Sequence, residues 1–268
     1  MRQMKGAGAV LAIGAMALAC GAGEKKAPAS PDAESAGKGV VAATNTTTSP
    51  ATSTATSTSG AKTGPTTAGT SAATPSDGGR RTVLFLGTSL TAGLGLDPDS
   101  AYPQQIGRKI QAAGLPFQAV NAGVSGETSA GLLRRLDWVL RTPAAVIVVE
   151  TGANDGLRGQ SVGATKATIG MILDRIKRDR PEARVVLVQM EAPTNLGKDY
   201  TTSFHAMFPA MAAEHGAVLM PFLLDGVAGR AALNQGDGIH PNYVGERLVT
   251  ATVWKTLEPL LKGAAAKP

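Results

Sequence analysis

The chain has 268 residues, enough for one or two domains, and a formal charge of +6. Most of that excess is upstream: residues 1–81 carry eight Lys/Arg against four Asp/Glu, while the remainder carries eighteen against sixteen with both signs interspersed, which argues against a nucleic-acid-binding face. The single cysteine, Cys20, excludes an intramolecular disulfide.

Arg2 and Lys5 precede the apolar run GAGAVLAIGAMALAC. The run falls short of the roughly 20 residues a spanning helix needs and has the length of a signal-peptide h-region. Ala17-Leu18-Ala19 forms a small-x-small cleavage site before Cys20. The stretch also resembles a bacterial lipobox, with Ala17 where that box usually has Leu. The resemblance implies that residues 1–20 are a signal peptide and that Cys20 is lipidated, holding an exported protein to a membrane of the cell envelope. Residues 21–79 read as a linker, since 42–76 are nearly all Thr, Ser, Ala, Gly and Pro, and the first aromatic residue is Phe85. Such a segment cannot bury enough apolar area to offset the entropy of ordering it. A tether after an acyl anchor lets a domain reach away from the membrane. The folded domain is expected over residues 80–262, followed by a tail, 263–268.

Within that domain Val83-Leu84-Phe85-Leu86 reads as a buried strand, and PFQAVNAG as a second, ending at Asn121. SAGLLRRLDWVLR sets Leu132, Leu133, Leu136 and Leu140 at helical spacing. AAVIVVE (144–150) is apolar on both faces, as in the middle of a parallel sheet. A helix over 162–179 carries Ile169, Ile172 and Ile176, and ARVVLVQM (183–190) is a further buried strand. A helix around 201–215 leads into the short strand AVLMPF. The last helix starts at Tyr243, carries Val249, Val253 and Leu257, and is expected to end at Pro259. This alternation predicts an α/β domain with an open parallel sheet and helices on both faces. Ligands in such sheets gather beyond the carboxyl ends of the strands.

The segments after the strands are GTSLTAG, NAGVSGET and TGANDGLRG, with DGIHPN ahead of the last helix. Each has an ordinary reading: Ser89 and Gly123 as turn residues, Asn154 and Asp155 or Asn242 as helix caps. Gly93 and Gly95 lack the third glycine of a dinucleotide loop, since Pro98 stands there. Thr91 rules out a Gly-x-Ser-x-Gly elbow.

Taken together, the four blocks resemble the GDSL, or SGNH, hydrolase superfamily over nearly all of residues 82–262. Its signature serine, glycine, asparagine and histidine match Ser89, Gly123, Asn154 and His240. VNAGVSGET, VVETGANDGLRG and GDGIHPN bring the chain nearest to the bacterial arylesterases and the multifunctional thioesterase/lysophospholipase group. Thr88 departs from the motif, which has Asp there. The resemblance implies a flavodoxin-like three-layer sandwich with about five parallel strands. It also implies a serine esterase acting on small esters, thioesters or lysophospholipids.

The residues support that chemistry on their own terms. A serine hydroxyl is a weak nucleophile until a base takes its proton. Of three histidines, His240 has a carboxylate three residues earlier, Asp237, to orient its ring. His205 and His215 are expected on a helix without such a pairing. The oxyanion donors that the resemblance implies are the Ser89 and Gly123 backbone N–H groups and the Asn154 amide. Leu157, Met190 and Pro193 are expected to line the acyl pocket, for short to medium chains. Nothing in the sequence calls for a metal, and acyl transfer to water needs no cofactor. The competing readings are a carbohydrate or cell-wall O-acetyl esterase and a non-catalytic surface-binding lipoprotein.

Overall fold

The computed structural model describes residues 79–266. The leader, Cys20 and most of the linker lie outside the described residues. The strands are β1 (Arg81–Gly87), β2 (Phe117–Gly123), β3 (Val146–Val149), β4 (Arg184–Val188) and β5 (Val218–Met220). The α-helices are α1 (Ser89–Ala92), α2 (Tyr102–Ala112), α3 (Ser129–Val139), α4 (Ala153–Leu157), α5 (Val162–Asp179), α6 (Lys198–His215) and α7 (Tyr243–Ala265). No described helix is long and apolar enough to cross a membrane.

The strands form one five-stranded sheet in the order β2-β1-β3-β4-β5, every pair parallel. Helices α2 and α7 pack together on one face, and α3, α5 and α6 form the other layer. This is the open parallel sheet with helices on both faces that the alternation of elements predicts, and the three-layer sandwich that the resemblance implies. Successive strands step outward from β1 in both directions, so the crevice between the carboxyl ends of β1 and β3 is the switch point of the topology. Ser89 follows β1, and Glu150 and Asn154 follow β3.

The core explains why these segments take these forms. Val83–Leu86 and Val146–Val149 are buried on both faces, as central parallel strands require. Ile169, Ile172 and Ile176 line the inner stripe of α5, and Val249, Val253, Leu257 and Leu261 that of α7. Emptying one such position, as in Ile147→Ala, costs about 2–5 kcal/mol in a packed interior.

Several boundaries differ from expectation. β2 continues past Asn121 to Gly123, because Asn121–Gly123 stay in register with Phe85–Gly87. β5 stops at Met220, before Pro221, which has no N–H for the ladder. Helix α7 does not end at Pro259 but runs on to Ala265, into the expected tail. Proline frees the carbonyl four residues back. Here Pro259 and Lys255 are both exposed, so water can satisfy it, while Leu257 and Leu261 stay buried on the opposite stripe. Near its end the Arg81 guanidinium donates to the Ala264 carbonyl at 2.7 Å. Helix α2 has no counterpart in the sequence reading. Pro103 falls in its first turn, where proline is tolerated. Tyr102, Ile106 and Ile110, at i, i+4 and i+8, are its buried stripe.

Candidate active site

The turn that carries Ser89 is built by backbone geometry. β1 ends at Gly87, Thr88 takes an extended conformation at the N-cap, and Ser89 opens the four-residue α1. Gly93 closes that helix at φ 73°, a left-handed conformation that suits glycine. Ser89 is only 8% exposed.

The histidine arrives from the loop before α7. Asp237 Oδ1 accepts from the backbone N–H groups of Ile239 at 2.9 Å and His240 at 3.0 Å, which winds the loop around the carboxylate. Asp237 Oδ2 lies 2.6 Å from His240 Nδ1, and His240 Nε2 lies 2.7 Å from Ser89 Oγ. An ionised carboxylate only accepts, so Nδ1 carries the proton and Nε2 is left to accept from the serine hydroxyl. The backbone N–H of His240, then its ring and the N–H of Ile239, draw the Asp237 carboxyl down to about 2. Asn242 caps α7 directly after this loop, its side chain accepting from Val244 and Gly245 N–H.

Gln235 ties the two loops together. Its side-chain amide donates to the Leu94 carbonyl at 2.7 Å and to the Pro241 carbonyl at 2.9 Å, and its backbone N–H donates to the His240 carbonyl at 2.7 Å.

Asn154 sits in α4 with its amide donating to the Glu127 carbonyl at 3.0 Å. Glu127 is itself held by Arg135 in an ion pair of 2.7 Å, and Arg135 also donates to the Ala122 carbonyl at 2.8 Å. Asn154, Ser89 and His240 share the wall of one cavity of about 190 Å³. Gly123 is not on that wall. It packs behind the Ser89 turn, where a Cβ would collide with the Ala92 backbone nitrogen, and its N–H donates to Asn121 Oδ1 at 2.9 Å. The Asn121 amide in turn donates to the Thr91 carbonyl at 2.8 Å, so Asn121 links Gly123 to α1.

Leu157, Met190 and Pro193 line one cleft of about 640 Å³, together with Ala192, Phe222 and Ile239. The cleft shares Leu90, Ala153, Leu157 and Ile239 with the small cavity, so the two adjoin. A separate hollow of about 340 Å³ lies beside His215 and the start of β4 and touches none of these residues.

The two other histidines do pair with carboxylates, contrary to expectation. His205 Nδ1 lies 2.6 Å from Glu191, and His215 Nδ1 lies 2.9 Å from Asp174. Both partners come from other elements, 14 and 41 positions away, where sequence proximity gives no hint. Among the described residues only His240 holds a serine hydroxyl on its second nitrogen.

A parallel sheet of this order, with a serine, a histidine and an asparagine gathered at its switch point, is the arrangement of an SGNH hydrolase. The GDSL-like Lipase/Acylhydrolase family matches residues 85–248, and the chain belongs to that family of carboxylic ester hydrolases. It is 35% identical to the Esterase TesA of Pseudomonas aeruginosa over 182 residues, covering 68% of this chain and 90% of that one. It is also 35% identical to the Thioesterase 1/protease 1/lysophospholipase L1 of Escherichia coli K12, over 67% of this chain and 85% of that one. A crystal structure of the psychrotrophic esterase EstA from Pseudoalteromonas sp., inhibited by monoethylphosphonate, superposes with a TM-score of 0.64. It is 31% identical, and the match covers 68% of this chain and 99% of that chain.

Proposed function

We propose that the protein is a serine esterase that hydrolyses carboxylic esters of short to medium acyl chains, and thioesters or lysophospholipids of similar size. The observation that carries the reading is the 2.7 Å contact between Ser89 Oγ and His240 Nε2, with Asp237 on the other ring nitrogen. As Ser89 attacks the ester carbonyl, its proton passes to His240 Nε2, and Asp237 stabilises the imidazolium that forms. The tetrahedral intermediate collapses to an acyl-Ser89 ester as His240 gives that proton to the leaving alcohol. Water, activated by the same imidazole, then releases the acid.

The oxyanion would draw on the Ser89 N–H at the head of α1 and the Asn154 amide, both on the wall of the small cavity. Gly123, expected as the third donor, lies behind the turn with its N–H given to Asn121 Oδ1, and it is the backbone of Gly126 that borders the cavity in its place. The adjoining apolar cleft supports an alkyl or aryl acyl group over a sugar polymer. The names of the relatives, esterase and thioesterase/lysophospholipase, point the same way.

The test is turnover of p-nitrophenyl acetate, butyrate, octanoate and palmitate by the purified protein and by Ser89→Ala. The expected result is a loss of at least ~10³-fold in the variant, with rates highest at or below octanoate. Rates rising steadily to palmitate would overturn the chain-length assignment. A silent wild type that releases acetate from acetylated glycans would favour the polymer esterase. A wild type silent on every ester would leave the binding lipoprotein.

Export and anchoring at Cys20 belong to the same proposal. Mass spectrometry of the mature N-terminus should find a diacylglyceryl group on Cys20, and an unmodified, soluble mature form would refute it.

A further inference from the structure

The buried carboxylate of Glu150 has no part in the chemistry just described. It stands at the carboxyl end of β3, fully buried, across the switch point from the nucleophile turn. Its Oε2 accepts from the Thr88 backbone N–H at 2.7 Å and from the Thr91 hydroxyl at 2.9 Å. The Thr88 hydroxyl lies 3.0 Å from both oxygens. These donors bracket Ser89, one residue before it and two after. Gly87 allows the approach, since a Cβ there would strike the Thr91 side chain and stand 2.7 Å from Glu150 Oε2.

We propose that Glu150 is the positioning residue of the nucleophile: its ionised carboxylate, gripping Thr88 and Thr91, sets the turn that aims Ser89 Oγ at His240. This rests on the reading of Ser89 as nucleophile. The contacts suit the ionised form. Thr91 donates to Glu150, so the Tyr102 hydroxyl, 2.7 Å from Thr91 Oγ1, must donate to Thr91. Burial and the neighbouring Glu150 push the Tyr102 phenol well up, which keeps it a donor. The relay Tyr102 to Thr91 to Glu150 therefore ends on a group that only accepts. Thr88, where the family motif has Asp, fits the same logic. It offers a donor, whereas a second carboxyl would compete for a shared proton.

The groups facing the cluster are Tyr102 on α2 and, behind it, Glu246 on α7, whose Oε1 accepts the Tyr102 N–H at 2.6 Å. No cation among the described residues pairs with Glu150. Burial raises its carboxyl to about 7, against the pull of the Thr88 and Thr91 donors. Once protonated, Glu150 must itself donate, so one of the three donors has to turn round and the grip weakens. Below neutrality the turn therefore loosens.

The experiment measures kcat and KM on p-nitrophenyl acetate from pH 5 to 9 for wild type, Glu150→Gln, Thr88→Val and Ser89→Ala, with folding checked by circular dichroism. Glu150→Gln should lose about 100-fold in kcat, the scale of a small misplacement of a reacting group, with KM within about twofold. On the acid side its log(kcat/KM) should fall less steeply than that of wild type, by one unit of slope. Thr88→Val, which removes one donor at constant shape, should lower kcat several-fold and move the wild-type acid limb to higher pH. Wild-type kcat and an unmoved acid limb in a folded Glu150→Gln would reduce Glu150 to packing. If that variant does not fold, the same result in Thr88→Val overturns the proposal. An active Ser89→Ala would instead overturn the reading of the site on which it rests.

Discussion

His240 Nε2 stands 2.7 Å from Ser89 Oγ across 151 positions of chain, and Asp237 fixes the other face of that ring from three residues away. The long link is made by the fold and the short one by the loop. The two should therefore fail differently. Asp237→Asn keeps the loop's shape but offers an amide where Nδ1–H needs an acceptor. In a buried Ser-His-Asp set such a change costs ~10⁴ in kcat. The Asp237 side chain is 44% exposed, so water can partly replace it. The expected loss is about 10³-fold, with KM little changed. With its carboxyl at about 2, Asp237 is ionised throughout the working range and adds no limb to the pH–rate profile. A limb that disappears in Asp237→Asn would contradict this.

Asn154 tests the oxyanion separately. Its amide donates to the Glu127 carbonyl, and the residue lines the cavity it shares with Ser89. Asn154→Ala should reduce kcat by about 10²–10³ while leaving reactivity toward a fluorophosphonate probe measurable. Arg135→Leu should follow more weakly, since Arg135 acts only through Glu127 and the Ala122 carbonyl. Equal activity of Asn154→Ala and wild type would remove Asn154 from the oxyanion site.

How much of this was legible in the sequence follows from range. Ser89, Asn154 and His240 could be named because the four blocks after the strands together resemble the SGNH family, and because Asp237 is local to His240. Asn121, Gln235 and Glu150 could not. Gln235 braces Leu94 from 141 positions away, and Glu150 reaches back 62 positions to Thr88. Such bonds have no local period to betray them. Helix α2 was hidden for another reason: Pro103 and Gly107 look like breakers, yet the first falls in a first turn and the second faces Ala119 on β2. The extension of α7 past Pro259 depends on which side of the helix meets water, and a proline alone does not reveal that.

The cleft sets a prediction on chain length. Ala192 lies on its wall, half-buried beside Gly156. Ala192→Phe fills the space with a ring without touching Ser89, His240 or Asp237. The variant should keep acetate turnover within about threefold and lose octanoate turnover at least tenfold, the scale of one or two lost apolar contacts. Acetate and octanoate falling together would place the acyl chain elsewhere.

Glu246 gives a stability prediction with a definite sign. It is 2% exposed in the first turn of α7 and accepts the Tyr102 N–H, and burial raises its carboxyl to about 7. The unfolded chain releases this proton near the ordinary value of 4.5. Between those two values the native state holds a proton that the unfolded state has given up. Unfolding free energy therefore falls as pH rises through this window, by at most about 1.4 kcal/mol per pH unit for each such group. Glu150 contributes in the same direction. Asp237, drawn down to about 2, acts oppositely, and the small stability it adds is lost only below about pH 4. Glu246→Gln keeps an oxygen for the Tyr102 N–H but has nothing to titrate. Urea denaturation at pH 5 and pH 7.5 should show wild type losing stability toward the higher pH, and Glu246→Gln should lose about half as much. If wild type gains stability over that interval, or the variant follows wild type, Glu246 titrates in the ordinary carboxylate range and its burial is not what sets its charge.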